Sequence, residues 1–186
     1  METLLAPDPI PYDGSQMAAH WARRRFGLKG DCMVIFFGSC DVTPRHMIDL
    51  EDREAGARIV SPRMLHAIVE HFDPDLERIV LRQRLLVALA RDAVEARCAR
   101  RLRRVDSDLF DGPAKLTVSI ASAGPVSAKI HLGINIDPPG PEAGVPTIGL
   151  TQLRVEPAAV AQDLLRGYPE EIRTLAVDRA KVRPLD

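Results

Sequence analysis

Aromatic residues make up only 4% of this 186-residue chain, too few for the stacked-ring platforms that hold single-stranded nucleic acid. Neither charge sign is in excess: 25 Lys and Arg face 26 Asp and Glu. The formal net charge of −1 argues against nucleic acid or an anionic membrane as the main partner. No apolar run approaches the length that spans a bilayer. The opening residues lack the charged-then-apolar pattern of a secretory signal and are broken by Pro7, Pro9 and Pro11, so a cytoplasmic protein is expected. The three cysteines, Cys32, Cys40 and Cys98, are odd in number and have no metal-binding spacing, which fits reduced thiols. What remains is ordinary globular material, 46% hydrophobic and 27% charged, enough for one core and not for two comfortable domains. The expectation is a single domain over 1–186, with residues 1–14 a loose lead-in held at most by Ile10 and Tyr12.

Along the chain, Ser15 is placed to cap a short helix through Met17, Ala18 and Trp21 that ends at Gly27. Cys32–Phe37 is a continuous apolar run between glycines, the pattern of a strand buried on both faces. Met47–Glu51 reads as a second short strand. Ser61-Pro62 has the form of a helix start, which predicts a helix to about Phe72 burying Met64, Leu65, Ile68 and Val69. Asp73-Pro74 ends it, and a longer helix follows to roughly Ala99 with Ile79, Val80, Leu85, Leu86, Leu89 and Val94 at helical spacing. After Arg104 the period becomes two. Asp111-Gly112 and Ser122-Ala-Gly-Pro125 are tight-turn signals joining Asp108–Phe110, Ala114–Ala121 and Val126–Asp137. Pro138–Pro146 is a proline and glycine loop. Glu156-Pro157 opens an amphipathic helix, and Pro169 predicts a break in it. Mixed strands and helices with antiparallel hairpins give the α+β class: a mostly antiparallel sheet flanked by helices.

The two hairpin strands carry the chemistry. Lys115, Thr117 and Ser119 alternate with Leu116, Val118 and Ile120, and Ser127, Lys129, His131, Gly133 and Asn135 alternate with apolar partners. If each strand keeps one polar and one apolar face, the pairing register has even-numbered sums and Lys115 lies across from His131 or Gly133. The apolar face then packs on the long helix and the polar face floors a site, although a half-exposed sheet shows the same alternation without function. Gly133 in mid-strand admits close approach of a ligand or another backbone, and Asn135 is a poor strand former.

At these residues the chain resembles the biotin/lipoate protein ligase and octanoyltransferase superfamily, a relative of class II aminoacyl-tRNA synthetases. Asp108-Leu109, Asp111-Gly112, Lys115-Leu116 and Ser119 resemble the ligases' strand–turn–strand motif N-D-L-x-x-D-G-x-K-hydrophobic-x-G-S. Gly133-Ile134-Asn135-Ile136 resembles the biotin-ligase pattern that follows it, and His131 stands before Asn135 as a histidine does in octanoyltransferases. The resemblance implies a ligase-like fold in which Lys115 is the charged contact to an acyl or acyl-adenylate group. His131 would be an acid–base or orienting group, and Thr117, Ser119, Gly133 and Asn135 would contact the ligand. It departs from the family in three places. The Arg-Arg-x-Gly-Gly type loop has no counterpart upstream, Val118 replaces a glycine, and no cysteine follows the histidine strand. These departures argue against covalent thioester transfer by that route and against adenylation. The whole chain, through His20-Trp21, Phe26–Asp31, Asp49–Arg53, Ser61–Phe72 and Val80–Ala90, also resembles an uncharacterised family of archaeal and bacterial proteins of this length.

Other groupings are weaker. His66 and Glu70, one turn apart on the predicted helix, or Asp49, Glu51 and Asp52 beside His46, could ligate a metal such as Mg²⁺, but an ordinary helix and an exposed acidic turn account for them better. No metal site is assigned. Arg82 and Arg84 are candidate anion contacts on the long helix, whose basic C-terminal end the helix dipole also explains. The sequence therefore points to a small-molecule-binding protein, acyl- or adenylate-handling, of the transferase or ligase kind. A non-catalytic ligand-binding or dimerising relative without the phosphate loop is the alternative, and a metal-dependent hydrolase a second. ATP and Mg²⁺ stay open as cofactors, and a carrier-protein acceptor and a homodimer stay open as partners.

Overall fold

The computed structural model describes residues 1–140 and 144–185, so part of the Pro138–Pro146 loop lies outside the described residues. The chain forms a five-stranded sheet ordered β1-β2-β3-β8-β7 and a three-stranded sheet ordered β4-β5-β6. In chain order the strands are β1 Glu2–Leu5, β2 Cys32–Val42, β3 Ile59–His71, β4 Arg103–Val105, β5 Asp108–Asp111, β6 Ala114–Lys115, β7 Thr117–Ala123 and β8 Ala128–Asp137. The helices are α1 Trp21–Phe26, α2 Leu50–Glu54, α3 Leu76–Glu95, α4 Leu150–Leu153 and α5 Pro157–Lys181. β1 runs parallel to β2, the other strand pairs are antiparallel, and two isolated parallel bridges join Tyr12 to Cys40 and Lys115 to Thr147. Mixed α+β architecture with a mostly antiparallel sheet is thus observed. No helix among the described residues is long and apolar enough to cross a membrane.

The sheet has two buried faces. α3 and α5 cover one, packing Ile79, Leu86, Ala90, Val160, Leu164 and Tyr168 on Ile35, Leu65, Val69, Ile130, Leu132 and Ile134. The other face lies under the chain from Ala6 to Leu28 and the stretch around Met47, which pack on Val34, Phe36, Met64 and Ile68. α3 begins where the sequence places it, with Asp75 as N-cap accepting from Arg78 N, and α5 begins at Pro157 behind Glu156.

Several expectations are corrected. Residues 61–72 form most of β3, not a helix. Apolar residues at Met64, Leu65, Ile68 and Val69 satisfy helical spacing, but they also suit a central strand buried on both faces, which long-range pairing with β2 and β8 makes it. Pro62 falls where the register with β2 shifts between Gly38 and Cys40, so its missing N–H interrupts no ladder bond. The lead-in is not loose: Glu2–Leu5 is an edge strand, and the chain beyond it stays on β2 through Ile10 N to Phe37 O and Tyr12 N to Ser39 O, both 2.8 Å. Gly38 makes this possible, because a Cβ there would lie 1.9 Å from the Ile10 carbonyl oxygen. Ser15–Met17 is a 3-10 turn separate from α1, which does end at Gly27 with φ 74°. Met47–Glu51 is no strand: Asp49 caps the short α2. Pro169 does not break α5, because Tyr168 and Ile172 on either side of it both pack against the core.

The predicted strand 114–121 is divided between the two sheets. Lys115 pairs with Phe110 in the small sheet, and Thr117 onward pairs with β8 in the large one. The register is also corrected: Val118 faces Gly133 and Ile120 faces His131, an odd sum. An even sum requires one open polar face, whereas β8 is buried on both faces from Ala128 to Ile136.

Candidate functional site

Rows of side chains cross the covered face of the sheet. Cys32, Glu70, Lys129 and Ser122 form one row, Val34, Ile68, His131 and Ile120 the next, and Phe36, His66, Gly133 and Val118 the third. His66 and His131 are diagonal neighbours, and their Nδ1 and Nε2 atoms lie 3.1 Å apart. Tyr12, delivered by the strand-like N-terminal segment, stacks on His131 at 3.8 Å between ring centroids and lies 5.0 Å from His66, which stacks on Phe36 at 5.0 Å. Burial pushes the His66 imidazole down to about 4, and burial together with His66 holds His131 well below the ordinary histidine value. Both rings are therefore neutral at physiological pH.

Beside this column opens a cavity of about 180 Å³. His131 and Tyr12 form its inner wall, Asp108 and Lys115 one side, Val118 and Ile120 its floor, and Asp49 and Asp52 of the α2 region its outer edge. A second cavity of about 220 Å³ adjoins it, lined by Ser61, Met64, Asn135 and Thr147. Lys115, Val118, Ile59 and Asp52 belong to both, so Lys115 stands between two compartments. Its position is fixed by the backbone: its N–H bonds Pro146 O at 2.8 Å and its carbonyl accepts from Ile148 N at 3.1 Å. Lys115 Nζ lies 2.7 Å from Asp108 Oδ2. Burial pushes the Asp108 carboxyl up, against the pull of Lys115, and Asp108 Oδ1 is buried with no hydrogen-bond partner.

The structure brings Lys115 and His131 to the same cavity and Asn135 to the adjoining one. Asn135 ties the strands, with Oδ1 accepting from Ser61 Oγ at 3.2 Å and Nδ2 donating to Lys115 O at 3.4 Å. Gly133 is not an open floor. A Cβ there would meet Met64 Cε at 2.8 Å and Val118 Cγ2 at 3.2 Å, so those side chains already occupy the space. Ser119 borders the first cavity with its hydroxyl already engaged, accepting from Gln83 and donating to His131 O, and Thr117 Oγ1 accepts from Leu109 N at 2.8 Å and supports the Asp108 carboxylate. Arg82 and Arg84 lie on α3 outside both cavities, Arg82 paired with Asp73 at 2.6 Å and Arg84 with Asp106 at 3.9 Å. Asp49 spends Oδ1 on the N–H groups of Glu51 and Asp52. Among the described residues no group of three or more His, Cys, Asp or Glu is placed to hold a metal ion. Cys40 lies in β2 and not in a loop, and burial pushes its thiol up to about 12 and that of Cys32 to about 11. Tyr12 had no signal in the sequence as a cavity wall, and Asp52 was legible only as a member of the acidic cluster with Asp49 and His46, since neither belongs to a periodic segment.

This arrangement, a mostly antiparallel sheet with a lysine at the junction of its two hairpins, has the fold of the biotin and lipoate protein ligases. Biotin protein ligase from Aquifex aeolicus, solved with biotin and ATP, superposes with a TM-score of 0.64 at 11% identity, over 92% of this chain and 70% of that one. The chain belongs to the family described as Domain of unknown function (DUF366), whose model matches residues 1–183. Within reach of that family, a protein of unknown function from Pyrococcus horikoshi matches with a TM-score of 0.91 and 35% identity, covering 100% of this chain and 99% of that one. An uncharacterized protein of Methanocaldococcus jannaschii is 37% identical over 191 residues, covering 100% of this chain and 86% of that protein.

Proposed function

We propose that the protein binds a small two-part ligand across Lys115 and handles its acyl or carboxyl group, as an acyl-handling transferase or ligase relative. The observation that carries this reading is that Lys115 lines both cavities while its backbone is clamped by Pro146 and Ile148. A fixed ammonium beside a carbonyl oxygen stabilises negative charge that develops there, and in a site shielded from water that effect is large. His131, neutral and anchored by His66, would orient the ligand rather than titrate.

ATP, which the ligase fold implies, fits poorly. Where a triphosphate needs cations and exposed backbone N–H groups, the cavities carry Asp49, Asp52 and Asp108, and Arg58 is held by Asp41 at 2.7 Å. Like charges oppose its binding, and no step through ATP is drawn. The same carboxylates favour, as a second reading, a ligand-binding relative that performs no activation.

Mass spectrometry of small molecules released from the purified protein and from Lys115→Ala tests the first reading. A carboxylic acid or acyl compound retained by the wild type and lost by the variant supports it. Identical profiles with no such compound overturn it. ATP–pyrophosphate exchange with a panel of carboxylic acids then separates the two readings.

A further inference from the structure

One lysine and one arginine border the two cavities among the described residues, and each already holds a carboxylate. Lys115 Nζ lies 2.7 Å from Asp108 Oδ2. Arg58 sets Nε and Nη2 on the two oxygens of Asp41 at 2.8 and 2.7 Å. Burial pushes the Asp108 carboxyl up, while Lys115, the Thr117 hydroxyl and the Ser119 N–H all favour its ionised form. Thr117 is able to donate there because its oxygen accepts from a different group, Leu109 N. A carboxylate arriving at Lys115 must therefore share the ammonium with one that three donors keep in place.

The field of the first cavity has the same sign. Asp49 and Asp52 border it beside Asp108, so three carboxylates stand against one ammonium. Tyr12 and His131 on the inner wall add no charge, because burial favours the uncharged form of both. Like charges at such separations oppose a further carboxylate. An uncharged carbonyl meets no such opposition. An ammonium has three N–H groups, and the contact to Asp108 uses one, so Lys115 can still donate to a carbonyl oxygen. The apolar walls Val42, Ile59, Val118 and Ile120 suit an acyl chain. The volume of about 180 Å³ corresponds to roughly six waters at about 30 Å³ each, the space of a short one.

We propose that the site takes its acyl group in uncharged form, as an ester or amide whose carbonyl oxygen accepts from Lys115 Nζ, and that Asp108 is the specificity determinant that turns away the free carboxylate. The inference rests on the acyl-handling reading and narrows its substrate class. It accords with cavities that suit ATP poorly, because an ester already carries a leaving group and needs no activation.

Titration calorimetry at pH 8 on the full chain, with methyl pentanoate, pentanamide and pentanoate, is the test. Both uncharged probes should bind the wild type at least tenfold more tightly than pentanoate, and both should lose at least tenfold in Lys115→Ala. Asp108→Asn should bring pentanoate level with pentanamide or beyond it. Asp52→Asn, an exposed change on α2, should strengthen pentanoate severalfold and leave pentanamide unchanged, which keeps the test decisive even if Asp108→Asn fails to fold. Pentanoate binding the wild type as tightly as pentanamide, or a ratio that neither aspartate variant moves, overturns the inference, and loss of that binding in Lys115→Ala would leave the acyl-handling reading standing. Binding that is unaffected by Lys115→Ala, or absent for every probe, overturns both.

Discussion

Nδ1 of His66 and Nε2 of His131 meet at 3.1 Å across the β3–β8 pair, with Tyr12 stacked on the His131 ring. The contact makes one unit of two strands and the N-terminal segment, and it does so with two titratable groups that must stay neutral. A ring on one cavity wall is thus held by a partner that never meets solvent, since His66 is 0% exposed.

The pair makes stability depend on pH in a defined window. The folded-state value of His66 is about 4 against 6.5 for the free side chain, and that of His131 is also lowered. Between these values the unfolded chain binds protons that the folded chain refuses, so stability is complete above about 6.5 and falls as pH drops toward 4. For His66 alone the loss amounts to about 3 kcal/mol. Melting temperatures should be level from pH 7 to 8 and decline below 6.5. His66→Phe, which keeps a ring beside Phe36, should flatten that decline, and an unchanged slope would refute the assignment.

The glycines divide by what a methyl group would strike. At Gly38 it would sit 1.9 Å from a backbone oxygen of Ile10, and at Gly133 2.8 Å from the mobile end of Met64. Gly38→Ala must push the Ile10–Tyr12 segment off β2 and should cost about 3 kcal/mol or more, whereas Gly133→Ala should cost about 1 kcal/mol. Denaturant titrations would show this order. Met64→Val should recover part of the Gly133→Ala loss, because the two share one space.

How much was legible followed from what each segment has to satisfy. α3, the start of α5 and the turns at Gly112 and Gly124 obey local rules of capping, period and turn chemistry, and they lie where those rules put them, whereas the break expected at Pro169 is overridden by packing on both sides of it. β3 does not, because Met64, Leu65, Ile68 and Val69 fit a helix stripe as well as a doubly buried strand, and only distant β2 and β8 decide. The register failed for the same reason: the chain over residues 6–28 buries Lys129 and His131, and Ser61 and Lys115 engage Asn135, so polarity no longer marks the open side. Lys115, His131 and Asn135 were readable as site candidates from alternation and resemblance. Tyr12 and Asp52 reach the cavities from aperiodic chain, where position depends on tertiary docking alone.

The thiols should differ in reactivity. Cys32 and Cys40 are buried, with values raised to about 11 and 12, while Cys98 is partly exposed. The thiolate is the reactive form, so a folded sample at pH 8 should react rapidly with one equivalent of a disulfide reagent, at Cys98, and with three only after denaturation. Rapid modification of Cys32 or Cys40 in the native protein would contradict the burial.

A final expectation concerns the polar row at the other end of the covered face. Glu70 is 1% exposed and Lys129 3%, their charged atoms 3.7 Å apart. Glu70 Oε1 accepts from His20 N and Ser127 Oγ, both at 2.7 Å, and Lys129 Nζ donates to the carbonyls of Gln16 and Ala18 at 2.7 and 2.9 Å. The network fastens the Gln16–His20 stretch to the sheet, including His20 in its left-handed conformation with φ 61°. Lys129→Met leaves a buried carboxylate without its counter-charge and frees two carbonyls, so it should cost about 3–5 kcal/mol. Glu70→Gln keeps an oxygen for Ser127 and His20 while removing the charge, and should cost less. With both changes together no isolated charge remains, and the loss should fall short of the sum of the two. A full double-mutant cycle by denaturant unfolding measures this directly. Strict additivity would mean that Glu70 and Lys129 hold the segment independently and not as a pair.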